Sequence, residues 1–91
     1  MSLRKVEQYI DILLYLHSND NITMNSVVNQ FKMKYSTVRT IFKRWLADNY
    51  ILKVRIKDIK AGDDQYYYEI TQAGVDYLKQ LESKLKKISN K

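Results

Sequence analysis

The sequence predicts an α+β fold, mainly α, in the order α-β-α-α-β-β-α. Three observations predict it. Between Thr23 and Ile51, apolar residues at Val27 and Phe31, then at Val38, Ile41, Phe42 and Trp45, follow two separate helical spacings, with Met33 too close to both runs to continue either. From Ile51 the period changes to two: Leu52, Val54 and Ile56 alternate with Lys53, Arg55 and Lys57, and Tyr66, Tyr68 and Ile70 alternate with Tyr67 and Glu69. The flanking segments, 2–18 and about 72–88, return to helical spacing.

Each element has its own local reason. In the first helix Leu3, Val6, Ile10, Leu13 and Leu14 make one apolar stripe, with Ile12, Tyr15 and Leu16 on a second flank. His17 falls in the last turn, where an imidazolium favours the helix C-terminal dipole, so its reading is structural. Ser18-Asn19-Asp20-Asn21 is turn chemistry, and Ile22 is placed for a short edge strand. Thr23 is a good N-cap for a second helix that carries Val27, Val28 and Phe31 inward. Ser36 or Tyr35 opens the third helix, which runs to about Asp48, and Asn49 is its left-handed terminator. Leu52, Val54 and Ile56 give the first strand a half-buried face, Ala61-Gly62-Asp63-Asp64 turns the chain, and the hairpin presents a basic outer face. Alternation puts Tyr66 and Tyr68 on the core side and leaves Tyr67 exposed. Thr71 caps the final helix, whose Leu78, Leu81, Leu85 and Ile88 have the 3-4-3 spacing of a coiled-coil seam.

Composition excludes several function classes. At 91 residues the chain is expected to be one domain, residues 1–70 forming the core unit and 71–91 an added helix. Without cysteine there is no disulfide framework or thiol metal site, and one histidine leaves no cluster for metal or acid–base work. No glycine-rich phosphate loop is available with Gly62 and Gly74 alone, so no catalysis, cofactor, metal or small-molecule substrate is expected. No run approaches the roughly 18 apolar residues of a membrane span, and Glu7 and Asp11 interrupt a would-be leader, so a cytoplasmic location is expected.

Charge placement points to a partner. Of the net charge of +6, the segment from Lys32 to Lys60 carries nine Lys/Arg against Asp48 and Asp58, a net +7 that leaves −1 for the rest. Basic charge gathered on one segment is the footprint of a polyanion. That segment also holds two short helices meeting at a tight turn, with basic and hydroxyl residues on the outer face of the second, as in a DNA-reading helix-turn-helix.

With Thr23–Phe31 as second helix, Ser36–Trp45 followed by Asn49-Tyr50-Ile51, and Ile70-Thr71-Gln72-Ala73-Gly74 opening the last helix, the chain resembles the winged helix-turn-helix transcription regulators over nearly its whole length. Asn49-Tyr50-Ile51 stands where many members have Gly-Leu-Ile, and Ile70–Gly74 is similar to their Leu-Thr-x-x-Gly. Small size, lack of cysteine and the terminal seam also resemble the winged-helix proteins of archaea and their viruses and plasmids. Members often have Ala at the position of Val28 and Gly at that of Lys32; Lys32 is read as a looser turn that adds a phosphate contact.

The resemblance implies a recognition helix at about 36–48 in the major groove and a wing at about 57–66 near the minor groove. Val38, Ile41, Phe42 and Trp45 share one face of that helix, which places Trp45 in the core. Ser36, Thr37, Arg39, Thr40 and Lys43 are left to read bases, Arg39 by a bidentate contact to guanine. Lys32, Lys34, Tyr35 and Arg44 are expected on the DNA backbone, and Lys57 and Lys60 on the wing. The terminal seam either packs on its own domain or pairs with a second copy. The second reading, preferred here, places Leu78, Leu81, Leu85, Ile88, Ile12 and Leu16 at a homodimer interface. The expected partners are double-stranded DNA and a second copy of the chain. The competing readings are a non-specific architectural DNA-binding protein and a winged helix used as a protein-interaction module.

Overall fold

Helix α1 (Leu3–Ser18) is followed by α2 (Met24–Phe31), α3 (Tyr35–Ala47), strands β1 (Ile51–Arg55) and β2 (Tyr66–Ile70), and α4 (Gln72–Ser89). The computed structural model describes residues 3–56 and 65–89. The two strands pair antiparallel, and Ile22 adds an isolated antiparallel bridge to Tyr68, whose N–H donates to the Ile22 carbonyl at 2.7 Å. The short strand expected at Ile22 is therefore a single bridge.

Local chemistry sets the helix ends. Thr23 Oγ1 accepts from the Ser26 N–H at 3.1 Å and Ser26 Oγ returns the contact to the Thr23 N–H, which together form a capping box for α2. Helix α2 closes at Lys32, whose φ of 55° is left-handed. Lys32 thus adopts the conformation that a glycine would supply. The turn is tight rather than loose, because the Lys32 and Met33 N–H groups both close onto the Val28 carbonyl. Asn49 (φ 62°) ends α3 in the expected left-handed state. Thr71 caps α4: its hydroxyl accepts from the Gly74 N–H at 3.0 Å and donates to the Asn49 carbonyl at 2.5 Å.

The core is built where α1, α3, β2 and α4 meet. Val6, Ile10, Ile12, Leu13 and Leu16 of α1 pack with Val27, with Val38, Ile41, Phe42 and Trp45 of α3, and with Ile51, Tyr68, Leu78 and Leu81. An aromatic chain crosses it: Tyr9 meets Trp45 edge-on, Trp45 stacks beside Phe42, and Phe42 meets Tyr68 at 4.8 Å between ring centroids. Such pairs each add about 0.5–1.5 kcal/mol beyond area burial, and here they tie the inner face of α3 to α1 and the hairpin.

Three expectations are corrected by this packing. In α1 the buried face centres on Ile12, Leu13 and Leu16, while Leu3 and Leu14 are exposed. Ile12, Leu16, Leu78 and Leu81, expected at a dimer seam, are instead buried in the protomer's own core, and α4 packs on α1. Their spacing marked a buried stripe correctly, but its partner is the chain's own first helix. Leu85 is half-buried, and the side chain of Ile88 lies outside the described residues.

The third correction is the phase of the hairpin. Ile51 is the inward anchor of β1, and the register places Ile51, Lys53 and Arg55 on one face with Ile70, Tyr68 and Tyr66. Leu52 is 42% exposed on the opposite face, with Val54 and Tyr67 half-buried beside it. A one-residue change of phase exchanges the two faces of a strand. The packing of Ile51 and Tyr68 decides it.

Candidate nucleic-acid interface

Helix α3 presents two faces. Val38, Ile41, Phe42 and Trp45 fill the core, and Ser36, Thr37, Arg39, Thr40 and Lys43 are all exposed on the remaining surface. The five residues expected to read bases are therefore solvent-facing on one short helix held rigidly from behind. Thr40 Oγ1 donates to the Ser36 carbonyl at 2.9 Å, which fixes the orientation of its hydroxyl. Lys34 is the N-cap of α3 and makes no side-chain cap bond, so its ammonium stays on the surface beside Lys32 and the 47%-exposed Tyr35.

The two arginines of α3 lie about 140° apart around the helix. Arg39 borders the hairpin, in a cleft shared with Tyr35, Lys43 and Leu46. Arg44 faces the other way, into a hollow with Lys5, Tyr9, Asp48, Tyr50 and Tyr77. A helix lying in a groove has one phosphate backbone on each side, and cations on both flanks meet that geometry. In the second hollow Tyr50 and Tyr77 stack at 4.2 Å with their planes 5° apart. Burial raises the pKa of the Tyr77 phenol, helped by the nearby phenols of Tyr50 and Tyr9 and by Asp48, while Arg44 acts in the opposite sense.

Lys53, Gln65 and Tyr66 were not among the DNA-contact residues expected from sequence, yet they form the hairpin wall of the first cleft. Counting the strand from Ile51 rather than from Leu52 would have found Lys53, because it puts the odd-numbered residues on the side of α3. Tyr66 shares that face with Tyr68 as expected, but it is half-buried at the cleft rather than in the core. Lys57 and Lys60, expected at the wing, lie outside the described residues. Among the described residues no grouping of His, Cys, Asp or Glu could hold a metal ion, and no helix is long and apolar enough to cross a membrane.

By sequence the chain matches no family model and no curated protein. By structure it is similar to a mutant of MepR from S. aureus, at 17% identity and a TM-score of 0.71 over 90% of this chain and 58% of that one. It is also similar to the multiple antibiotic resistance repressor MarR, at 10% identity and a TM-score of 0.70 over 87% of this chain and 55% of that one. A MarR transcriptional regulator from Methanosarcina mazei Go1 aligns at 18% identity and a TM-score of 0.66, covering 89% of this chain and 58% of its own. The chain thus spans less than two thirds of the length of these structures. At such identities the likeness establishes the architecture, and the fold of this chain is a winged helix-turn-helix.

Proposed function

We propose that this chain is a sequence-specific double-stranded DNA-binding regulator of transcription that acts as a homodimer and has no catalytic role. The observation that carries the reading is the exposed face of α3. Ser36, Arg39, Thr40 and Lys43 stand in solvent on a helix whose opposite face is wholly core. The helix is short, carries hydrogen-bonding groups near its N-terminus and has cations on both flanks, which suits entry into a major groove. The names of the structural neighbours, a repressor and a transcriptional regulator, agree with that reading.

We infer that the second copy docks on the outer edge of α1 and α4. Leu3 and Leu14, 41% and 39% exposed, lie on one stripe of α1. The half-buried Leu85 of α4 flanks Ile10 on the neighbouring surface. A two-fold pairing there presents two α3 helices, and the target is a palindrome with half-sites about 34 Å apart or a multiple of that.

Selection of duplexes from a random pool tests the reading. The selected duplex binds about a thousandfold or more tighter than random DNA at physiological salt. Equal affinities for the two support an architectural protein instead, and no affinity for either supports a protein-interaction module. Sedimentation tests the pairing: wild type runs as a dimer and Leu14→Lys as a monomer.

A further inference from the structure

The hairpin of this protein turns its basic side toward α3 rather than away from it. Ile51 and Tyr68 occupy the core end of that face, and the ladder then runs past the edge of the core. Lys53 is exposed there, with its Nζ 4.7 Å from the centroid of the Tyr66 ring. Across an open cleft of about 470 Å³ stand Arg39 and Lys43, and Tyr35, Gln65 and Tyr66 complete the walls. Three cations therefore converge on one concavity, and among the described residues no acidic side chain lines it. Mutual repulsion of that kind is relieved by an anion held between them.

We propose that this cleft seats the backbone phosphates of one DNA strand as it leaves the major groove, with Lys53 as a phosphate contact at the root of the wing and Tyr66 as its positioning residue. The assignment rests on the DNA-binding reading above. The ring face of Tyr66 attracts the ammonium and restricts the four-carbon stem of Lys53, so less freedom is lost when a phosphate arrives. One face of the Tyr66 ring carries that ammonium and the ring is half-buried, so Tyr66 is not a stacking platform for an unpaired base. The wing then holds DNA by its root, with Lys53 on a phosphate of the strand whose base Arg39 reads from the opposite wall.

The test uses the full chain and a mixed-sequence DNA duplex longer than two helical turns, with binding followed by fluorescence anisotropy across a salt series. In Lys53→Gln the slope of log affinity against log salt becomes shallower by about 0.9, the value of one phosphate contact. Lys53→Arg restores the slope. Tyr66→Leu weakens binding about two- to fivefold with the slope intact, as expected for loss of an exposed cation–π contact, and Tyr66→Phe, which keeps the ring face, rescues that loss. Circular dichroism melts show that the variants are folded. If wild type binds with a steep slope and Lys53→Gln has that same slope, the assignment of Lys53 is overturned while the DNA reading stands. If wild type shows no salt-dependent duplex binding, both fall together.

Discussion

A β-carbon placed on Gly74 would lie 2.0 Å from the carbonyl oxygen of Tyr50. The first turn of α4 thus rests directly on the backbone between α3 and β1, where the Thr71 N–H also donates to the Tyr50 carbonyl at 3.0 Å. Backbone cannot swing aside as a side chain can, so Gly74→Ala costs at least about 2 kcal/mol and lowers the melting temperature by roughly 10 °C. A thermal melt checks this, and a midpoint within a few degrees of wild type would show that the contact is softer than it looks.

Lys32 separates stability from binding. Its left-handed backbone costs a residue with a β-carbon roughly 1 kcal/mol, so Lys32→Gly raises the melting temperature by about 5 °C. The same change removes an exposed cation from the turn before α3. Duplex binding therefore weakens, and its salt slope becomes shallower by about 0.9. Parallel melting and anisotropy measurements decide, and a variant that gains or loses in both contradicts the assignment.

Arg39 and Lys34 should fail differently. Arg39 stands on the reading face of α3, so Arg39→Ala loses about 1–3 kcal/mol on the selected duplex and relaxes preference at one base position. Lys34 sits at the helix N-cap, and Lys34→Ala weakens selected and random duplexes by the same factor. Competition between the two duplexes separates these outcomes.

Tyr77 gives the fold an alkaline limit. Burial, first among the causes, holds its folded pKa above the ordinary tyrosine value. Ionisation is therefore harder in the folded chain than in the unfolded one. The stability this contributes is complete below about pH 10, the unfolded value, and is lost as pH rises through the higher folded value. Tyr77→Phe keeps the ring against Tyr50 but cannot ionise. Its melting temperature matches wild type at neutral pH and exceeds it above about pH 10.5; equal losses in both chains at high pH would exclude Tyr77 as the source.

Most elements could be read from the sequence because their causes are local. Thr23 and Asn49 act on backbone groups within a few residues, as Thr71 does on the Gly74 N–H, and the 3-and-4 spacing of Val38, Ile41, Phe42 and Trp45 specifies one helix face without reference to the rest of the chain. The readings that failed did so where the cause is tertiary. Residues 51–56 are amphipathic whichever side meets the core, and only the packing of Ile51 and Tyr68 decides between them. Leu78 and Leu81 announce a buried stripe but not its partner, which is the chain's own α1. The exposed residues of α3 were legible because the phase of that helix is unambiguous. Lys53 was hidden by the phase of the strand.

The bond from the Thr40 hydroxyl to the Ser36 carbonyl limits what α3 can say to a base. A hydroxyl ordinarily both gives and receives, but this one has committed its proton within the helix and retains only lone pairs. At a base edge it suits the exocyclic amines of adenine and cytosine and opposes the oxygens of guanine and thymine. Thr40 thus brings a one-way preference to a surface whose other strong group, Arg39, can only donate. Sites selected by the wild-type chain should carry an amine-bearing base beneath Thr40, and selection with Thr40→Val should lose that bias while keeping the base chosen by Arg39.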